Sequence, residues 1–252
     1  MSEAIYVITG ASRGLGLAMA NAVATPGVRL LTVARTASDA LATHAARNGA
    51  AVEQWCTDLS DAAAVSARLA EWLAQAGHAA PPRSVTLINN AAVLPQIAPL
   101  RALAADDIAR AVAVGLTATL QLSAAFLRAT SAWSCPRRVL NISSGNGRRA
   151  MASQAVYSAI KAGMDHASRV IAIEEAAVAN GAKVVSLAPG IVDTDMQTHL
   201  RNARPEDFPA HGQFVDYKQS GQLWTPEAAA ERVLNWLDRA DFGADPVADV
   251  RD

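Results

Sequence analysis

Ala4-Ile5-Tyr6-Val7-Ile8-Thr9-Gly10-Ala11-Ser12-Arg13-Gly14-Leu15-Gly16 opens the chain and runs straight into Leu17 to Ala24, which has helical character. A short apolar run, a glycine turn and a helix in immediate succession form the opening of a nucleotide-binding βαβ unit. The glycines do separate jobs. One permits a turn that needs positive φ, and the others let backbone and helix approach a phosphate with no Cβ in the way. The N–H groups at the helix start then face a pyrophosphate. Any tight βα turn can use glycine, so the remainder of the chain has to decide.

Val28 to Ala34 reads as the next strand and ends at Arg35. A dinucleotide-binding unit selective for NAD usually has an acid there for the ribose 2′-hydroxyl. An arginine would instead pair with a 2′-phosphate, and Arg13 in the glycine turn can approach the same region, so NADP is favoured over NAD. Thr36 to Asn48 reads as a helix stopped at Asn48-Gly49. Ala51 to Thr57 is a third strand, and Asp58-Leu59 at its end falls where an adenine would lie. Asp58 can equally cap the helix starting near Asp61. Ala62 to Ala76 is an alanine-rich helix and Gly77 to Arg83 a loop, before a fourth strand, Val85 to Ile88, enters Asn89-Asn90-Ala91-Ala92.

Ala105 to Ala132 has the pattern of one long helix, too apolar for a fully solvated surface, which predicts that part of it faces another subunit. A buried strand, Val139-Leu140-Asn141-Ile142, delivers Ser143-Ser144 to its carboxyl end. The following helix contains Tyr157 and Lys161 and is expected to run to about Asn180. Their spacing puts both on one helix face. An ammonium beside a phenol favours the phenolate, which predicts a Tyr157 pKa lowered toward the range of a general acid, with Ser144 placed to bind a substrate oxygen beside it. Val184 to Ala188 is a sixth strand, leading into Pro189-Gly190-Ile191-Val192-Asp193-Thr194-Asp195-Met196. Residues 197–223 show no long periodic element and read as an irregular excursion covering a substrate. Thr225-Pro226-Glu227 then starts a helix to about Arg239, and a last strand lies near Val247 to Val250. Strands and helices alternate with no linker or repeat. That pattern is one Rossmann-type, doubly wound α/β domain over 1–252, with about seven parallel strands and helices on both faces.

The bulk numbers agree with this reading. The 252 residues are 51% hydrophobic and 18% charged, with a formal net charge of -1, which gives no electrostatic case for nucleic acid or anionic lipid as partner. No uninterrupted apolar stretch approaches the ~18 residues of a membrane helix, and Glu3 precedes the first strand without a basic leader, so a cytoplasmic protein is expected. Cys56 and Cys135 lack metal-site spacing and are expected to be free thiols.

Thr9-Gly10-x3-Gly14-x-Gly16, Asp58, Asn89-Asn90-Ala91, Ser144, Tyr157-x3-Lys161 and Pro189-Gly190 stand in one order. In this set, and over nearly its whole length, the chain resembles the short-chain dehydrogenase/reductases. The resemblance implies that Tyr157 protonates a substrate carbonyl oxygen, that Ser144 hydrogen-bonds the same oxygen, and that Lys161 holds the nicotinamide ribose and tunes Tyr157. It implies a dinucleotide lying along Gly10, Ser12, Arg13, Gly14, Leu15, Gly16, Arg35, Asp58, Leu59, Asn90, Ala91, Tyr157, Lys161, Pro189, Gly190, Val192, Thr194 and Met196. The Val192 backbone and Thr194 would hold the carboxamide. Ala92 stands where the family usually has glycine, and Gly115 where it has an Asn supporting a water-linked proton relay to the lysine.

Asp193-Thr194-Asp195-Met196-Gln197, Phe214-x2-Tyr217-Lys218-x2-Gly221-x-Leu223 and Pro226-Glu227 resemble the sepiapterin reductase and benzil reductase branch. That likeness implies an NADPH-dependent carbonyl reductase working on an α-dicarbonyl or a sepiapterin-like ketone, and the long apolar helices predict a homodimer or homotetramer. Gly190 would border the substrate, and Asp249 lies near an acid that anchors pterins in that branch. A 3-oxoacyl thioester or steroid-like ketone is the alternative substrate. A catalytically silent NADP-binding sensor is the alternative of another class, and the presence of both Tyr157 and Lys161 argues against it.

Overall fold

β-Branched and aliphatic runs build a seven-stranded parallel sheet in the order β3-β2-β1-β4-β5-β6-β7. The structure is a computed structural model and describes residues 3–79 and 81–252. The strands are β1 (Ala4–Thr9), β2 (Val28–Ala34), β3 (Ala51–Cys56), β4 (Ser84–Asn89), β5 (Arg137–Ile142), β6 (Lys183–Ala188) and β7 (Val247–Asp249). Both faces of the central strands are covered, which is why they read as nearly continuous apolar runs. Alternation along each strand divides their side chains between two cores: Ile8, Leu30 and Ile88 on one face, Val7, Leu31 and Leu87 on the other.

Helices α1 (Gly14–Val23), α2 (Asp39–Arg47) and α9 (Pro226–Leu237) cover the first face. On the second lie α3 (Ala62–Ala79), the π-helical turn Ala113–Thr117, α5 (Ala118–Ala129) and α6 (Ala155–Ala176), with α4 (Ala105–Val112) packed against α6. Two short helices, α7 (Asp195–Arg201) and α8 (His211–Gln219), follow β6. Strand order reverses between β1 and β4, and the turns leaving β1, β4, β5 and β6 share one edge of the sheet. In an open α/β sheet a ligand crevice lies at such a switch point.

Several boundaries differ from the sequence expectation for identifiable reasons. The second helix begins only at Asp39, where the Ser38 hydroxyl accepts from the Leu41 amide at 3.2 Å. The third continues through Gly77 to Ala79, because that glycine serves packing and not helix termination. A Cβ there would stand 2.8 Å from the Trp133 ring. The single long helix expected over Ala105 to Ala132 is interrupted by the π-helical turn. Its 18-residue apolar window has mean hydropathy 1.4 and is long and apolar enough to cross a membrane, yet 50% of that window is buried. Val114, Ala118, Leu122 and Phe126 spend that apolarity on the core beneath the sheet.

The largest difference is in residues 197–223, which are not irregular. They contain the rest of α7 and all of α8, and Leu200, Phe208 and Phe214 join Ile97 in a small core of their own. Helices of seven and nine residues are too short to display a hydrophobic period, so long-range aromatic packing organises them.

Candidate active site

The turn after β1 is locked to the turn after β4. Thr9 Oγ1 accepts from the amides of Asn90 and Ala91, both at 3.0 Å, and Asn90 Nδ2 donates to the carbonyls of Thr9 (3.0 Å) and Gly10 (3.2 Å). Only glycine fits this junction. Gly10 has φ +68° with Ala91 Cα 2.9 Å from where its Cβ would be, and a Cβ on Gly16 would stand 2.3 Å from the Gly10 carbonyl oxygen. Arg13 occupies the N-cap position of α1 without a side-chain cap, and no acid lies in the first turn. The first amides of α1 therefore remain free for an anion.

A cavity of about 1020 Å³ extends from this turn. At one end lie Arg35, Asp58, Leu59 and Arg110; at the other, Ser144, Tyr157, Lys161, Gly190 and the walls contributed by α7 and α8. Asp58 accepts from the Ser60 amide at 2.9 Å, capping a 3₁₀ turn. That bond holds its carboxylate below the usual range, with Arg110 and Arg35 contributing. Arg13 lines the same cavity as Arg35, and its Nη1 lies 2.7 Å from Asp195 Oδ2, an exposed pair worth little by itself.

β5 places Ser144 at its carboxyl end, and α6 places Tyr157 and Lys161 on its cavity side. Lys161 is 2% exposed and donates to the Ile142 carbonyl at 2.6 Å. Its Nζ lies 5.7 Å from the centre of the Tyr157 ring. Burial lowers the lysine from 10.5 to about 8, with the Asp165 charge opposing. The folding cost of burying the ammonium is therefore fully present below about pH 8 and is relieved as pH rises toward 10.5.

The Tyr157 phenol behaves contrary to the sequence expectation. Burial raises its pKa above the ordinary value, while the hydrogen bond with Ser144 acts in the lowering direction. The neighbouring charge by itself would lower the phenol, but desolvation dominates here because the ammonium is committed to the Ile142 carbonyl.

Past β6, Gly190 adopts φ +79°, and a Cβ on it would stand 2.5 Å from the Trp224 ring. Trp224 donates its amide to Ile191 (2.9 Å) and accepts from Asp193 (2.8 Å), so the segment bearing Val192 is held as a short bridge. Ser12, Gly14, Leu15, Pro189, Thr194 and Met196 also line the cavity. Asp249, 7% exposed, is engaged by Arg251 through Nε (2.7 Å) and Nη2 (2.6 Å), and of the two it is Arg251 that lines the cavity. Arg110, Gln154, Gln197, Arg201 and Arg251 also line the cavity, and among these Gln197 alone belongs to a sequence motif. Three of them hold buried polar atoms without a partner among the described residues: Gln154 Nε2, Gln197 Oε1 and Arg201 Nη1.

The profile of the short chain dehydrogenase family matches residues 4–205. The chain belongs to the short-chain dehydrogenase family. Its members are oxidoreductases acting between CH–OH and C=O with NAD(P). The chain is 29% identical to a benzil reductase ((S)-benzoin forming) of Bacillus cereus over 94% of both chains. It also resembles the crystal structure of a short-chain dehydrogenase/reductase from Burkholderia vietnamiensis (34% identity, TM-score 0.66, covering 99% of this chain and 98% of that one). A metagenomic short-chain oxidoreductase solved in complex with NADP is 26% identical, with TM-score 0.74 over 98% and 95% of the two chains.

Against that family background the site has one departure of geometric interest. Gly115 sits in the π-helical turn, and a Cβ on it would meet Ile160 Cγ2 at 2.8 Å, so α6 packs where a side chain would be. The backbone kink is present, and the Gly115 carbonyl accepts from the Thr119 hydroxyl at 3.0 Å.

Proposed function

We propose that the chain is an NADPH-dependent carbonyl reductase that reduces one carbonyl of a vicinal dicarbonyl compound, of the benzil kind. The observation that carries this is the convergence of Ser144, Tyr157 and Lys161 on one wall of a cavity whose far end offers the uncapped start of α1. The residues suit a phosphorylated dinucleotide: the glycine junction leaves room for a pyrophosphate, and Arg35 is exposed with no ion pair among the described residues. Bound there, NADPH would supply the hydride. Ser144 donates a hydrogen bond to the substrate oxygen, and Tyr157, kept protonated by its raised pKa, transfers the phenolic proton to that oxygen as negative charge develops on it.

A sepiapterin-like ketone has less support from the site, because Asp249 is already paired with Arg251. The likeness to the Bacillus cereus benzil reductase supports the dicarbonyl reading. It is tested by following NADPH oxidation with benzil, other diketones, sepiapterin and acetoacetyl thioesters, recording product chirality. Turnover of the thioesters alone would reject it.

Arg35→Asp should weaken NADPH about 10- to 100-fold, since a charge-assisted bond to the 2′-phosphate is worth about 1.5–3 kcal/mol, and should leave NADH nearly unchanged. Fluorescence titration with both dinucleotides decides it; equal losses would remove the NADP assignment.

A homo-oligomer belongs to the same reading. Ile173 and Val170 on α6 are 73% and 42% exposed, and Leu120 on α5 is 40% exposed, which leaves apolar surface on two long helices. Ile173→Glu should convert the assembly to monomer in light scattering at micromolar concentration. A wild-type chain already monomeric under those conditions would contradict it.

A further inference from the structure

Asp165 is a carboxylate buried to 2% exposure in the middle of α6, one turn beyond Lys161 and two beyond Tyr157 on the same helix face. A buried charge survives only when it is paired or hydrogen-bonded, and this one draws on three other elements. Its Oδ1 accepts from Ser143 at the end of β5 (2.5 Å) and from Ser186 in β6 (2.7 Å). Its Oδ2 accepts no hydrogen bond among the described residues and lies 3.8 Å from Arg148 Nε on the loop after β5. Gly147 keeps that approach open, because a Cβ there would stand 2.8 Å from Oδ2. The surroundings of Lys161 are otherwise poor in negative charge. The Ile142 carbonyl accepts a hydrogen bond from it, the π-helical turn presents Gly115 with its carbonyl already engaged by Thr119, and β6 offers the neutral Ser186.

We propose that Asp165 is a positioning residue for the reaction: its carboxylate is the counter-charge that keeps Lys161 an ammonium, and its bond to Ser143 ties the strand end carrying Ser144 to the helix carrying Tyr157. This rests on the reductase reading of the site. It goes beyond that reading because Asp165 is absent from the cavity wall and acts only through its neighbours. The direction of its influence on Lys161 agrees, since the Asp165 charge opposes the lowering caused by burial. The charged and titratable groups around the pair are Tyr157 on α6, Arg148 on the loop, and Asp249 with Arg251 behind Arg148 on β7 and the segment after it.

The test is the titration of Lys161, followed by NMR of its Cε and Nζ in the full chain, which needs no turnover. Asp165→Asn keeps the shape and an acceptor for both serines and removes the charge. It should move the lysine midpoint down from about 8 by a unit or more. Carbonyl reduction at pH 8 should then fall roughly fivefold for a one-unit drop and recover as the pH is lowered. A purely structural loss would not recover on acidification. Should Asp165→Asn fail to fold, Arg148→Met at an exposed loop position unmasks the carboxylate, and the midpoint should rise. An unmoved midpoint in either variant overturns the proposal. If the wild-type chain reduces no carbonyl, the reductase reading fails, and the NMR midpoint still decides the role of Asp165.

Discussion

Tyr157→Phe should lower carbonyl reduction by about 10²–10⁴-fold, the usual worth of a positioned proton donor, while leaving NADPH binding nearly intact. In the proposed reaction the phenol is the acid, and phenylalanine keeps the ring while removing the hydroxyl. Removing the oxygen leaves Lys161 on the Ile142 carbonyl and Ser144 on the Asn146 amide. Dinucleotide fluorescence should therefore titrate as in wild type while the steady-state rate collapses. A raised phenol pKa fixes the sign of the phenol's own part in the pH response: its acid form persists through neutrality and is lost only as the pH climbs toward the phenol's elevated value, so a decline nearer pH 8 would report Lys161. Retained turnover in the phenylalanine variant would require a different proton donor, and Ser144 alone, with an aliphatic hydroxyl, is a far poorer acid.

Phe208→Ala should cost about 3–5 kcal/mol, the range for emptying a buried phenylalanine site, and the loss should be local. Phe208 is 0% exposed in a core it shares with Ile97, Leu200 and Phe214, separate from the two cores that flank the sheet. Its ring packs on Phe214 at 5.4 Å between centroids, and Phe214 packs edge-on to Tyr217 at 5.8 Å. Phe214 and Tyr217 are also cavity wall. The deletion therefore loosens α7 and α8 over the substrate end while the sheet and glycine junction remain. We expect an early, separate transition in thermal unfolding, increased proteolysis within 195–219, and a raised KM for the carbonyl with NADPH affinity retained. A single cooperative transition shifted as a whole would show that this small core is continuous with the main ones.

How much of this was legible differs from segment to segment. The glycine junction was readable because its requirement is local: Gly10 needs positive φ, and Gly16 needs the absence of a Cβ. Strand identities were readable because burial on both faces demands unbroken apolar runs. By contrast, Gly77 looked like a helix stop and is a seat for Trp133, a residue more than fifty positions away in sequence. Residues 197–223 looked irregular because α7 and α8 owe their order to Ile97 and to aromatic contacts, not to a period of their own. Arg110, Gln154, Arg201 and Arg251 carry no motif, and folding alone brings them to one cavity.

The amino-acid sequence by itself determined the alternation of strands and helices, the nucleotide turn and the Tyr157–Lys161 pair on one helix face, since each depends on spacing along a few residues. Only the tertiary structure decided the protonation chemistry of that pair. A pKa is set by how far burial strips away water and by which charges then remain in reach, and both came from distant segments: the Ile142 carbonyl that accepts the lysine's hydrogen bond, and the Ser143, Ser186 and Arg148 contacts that hold Asp165 behind it.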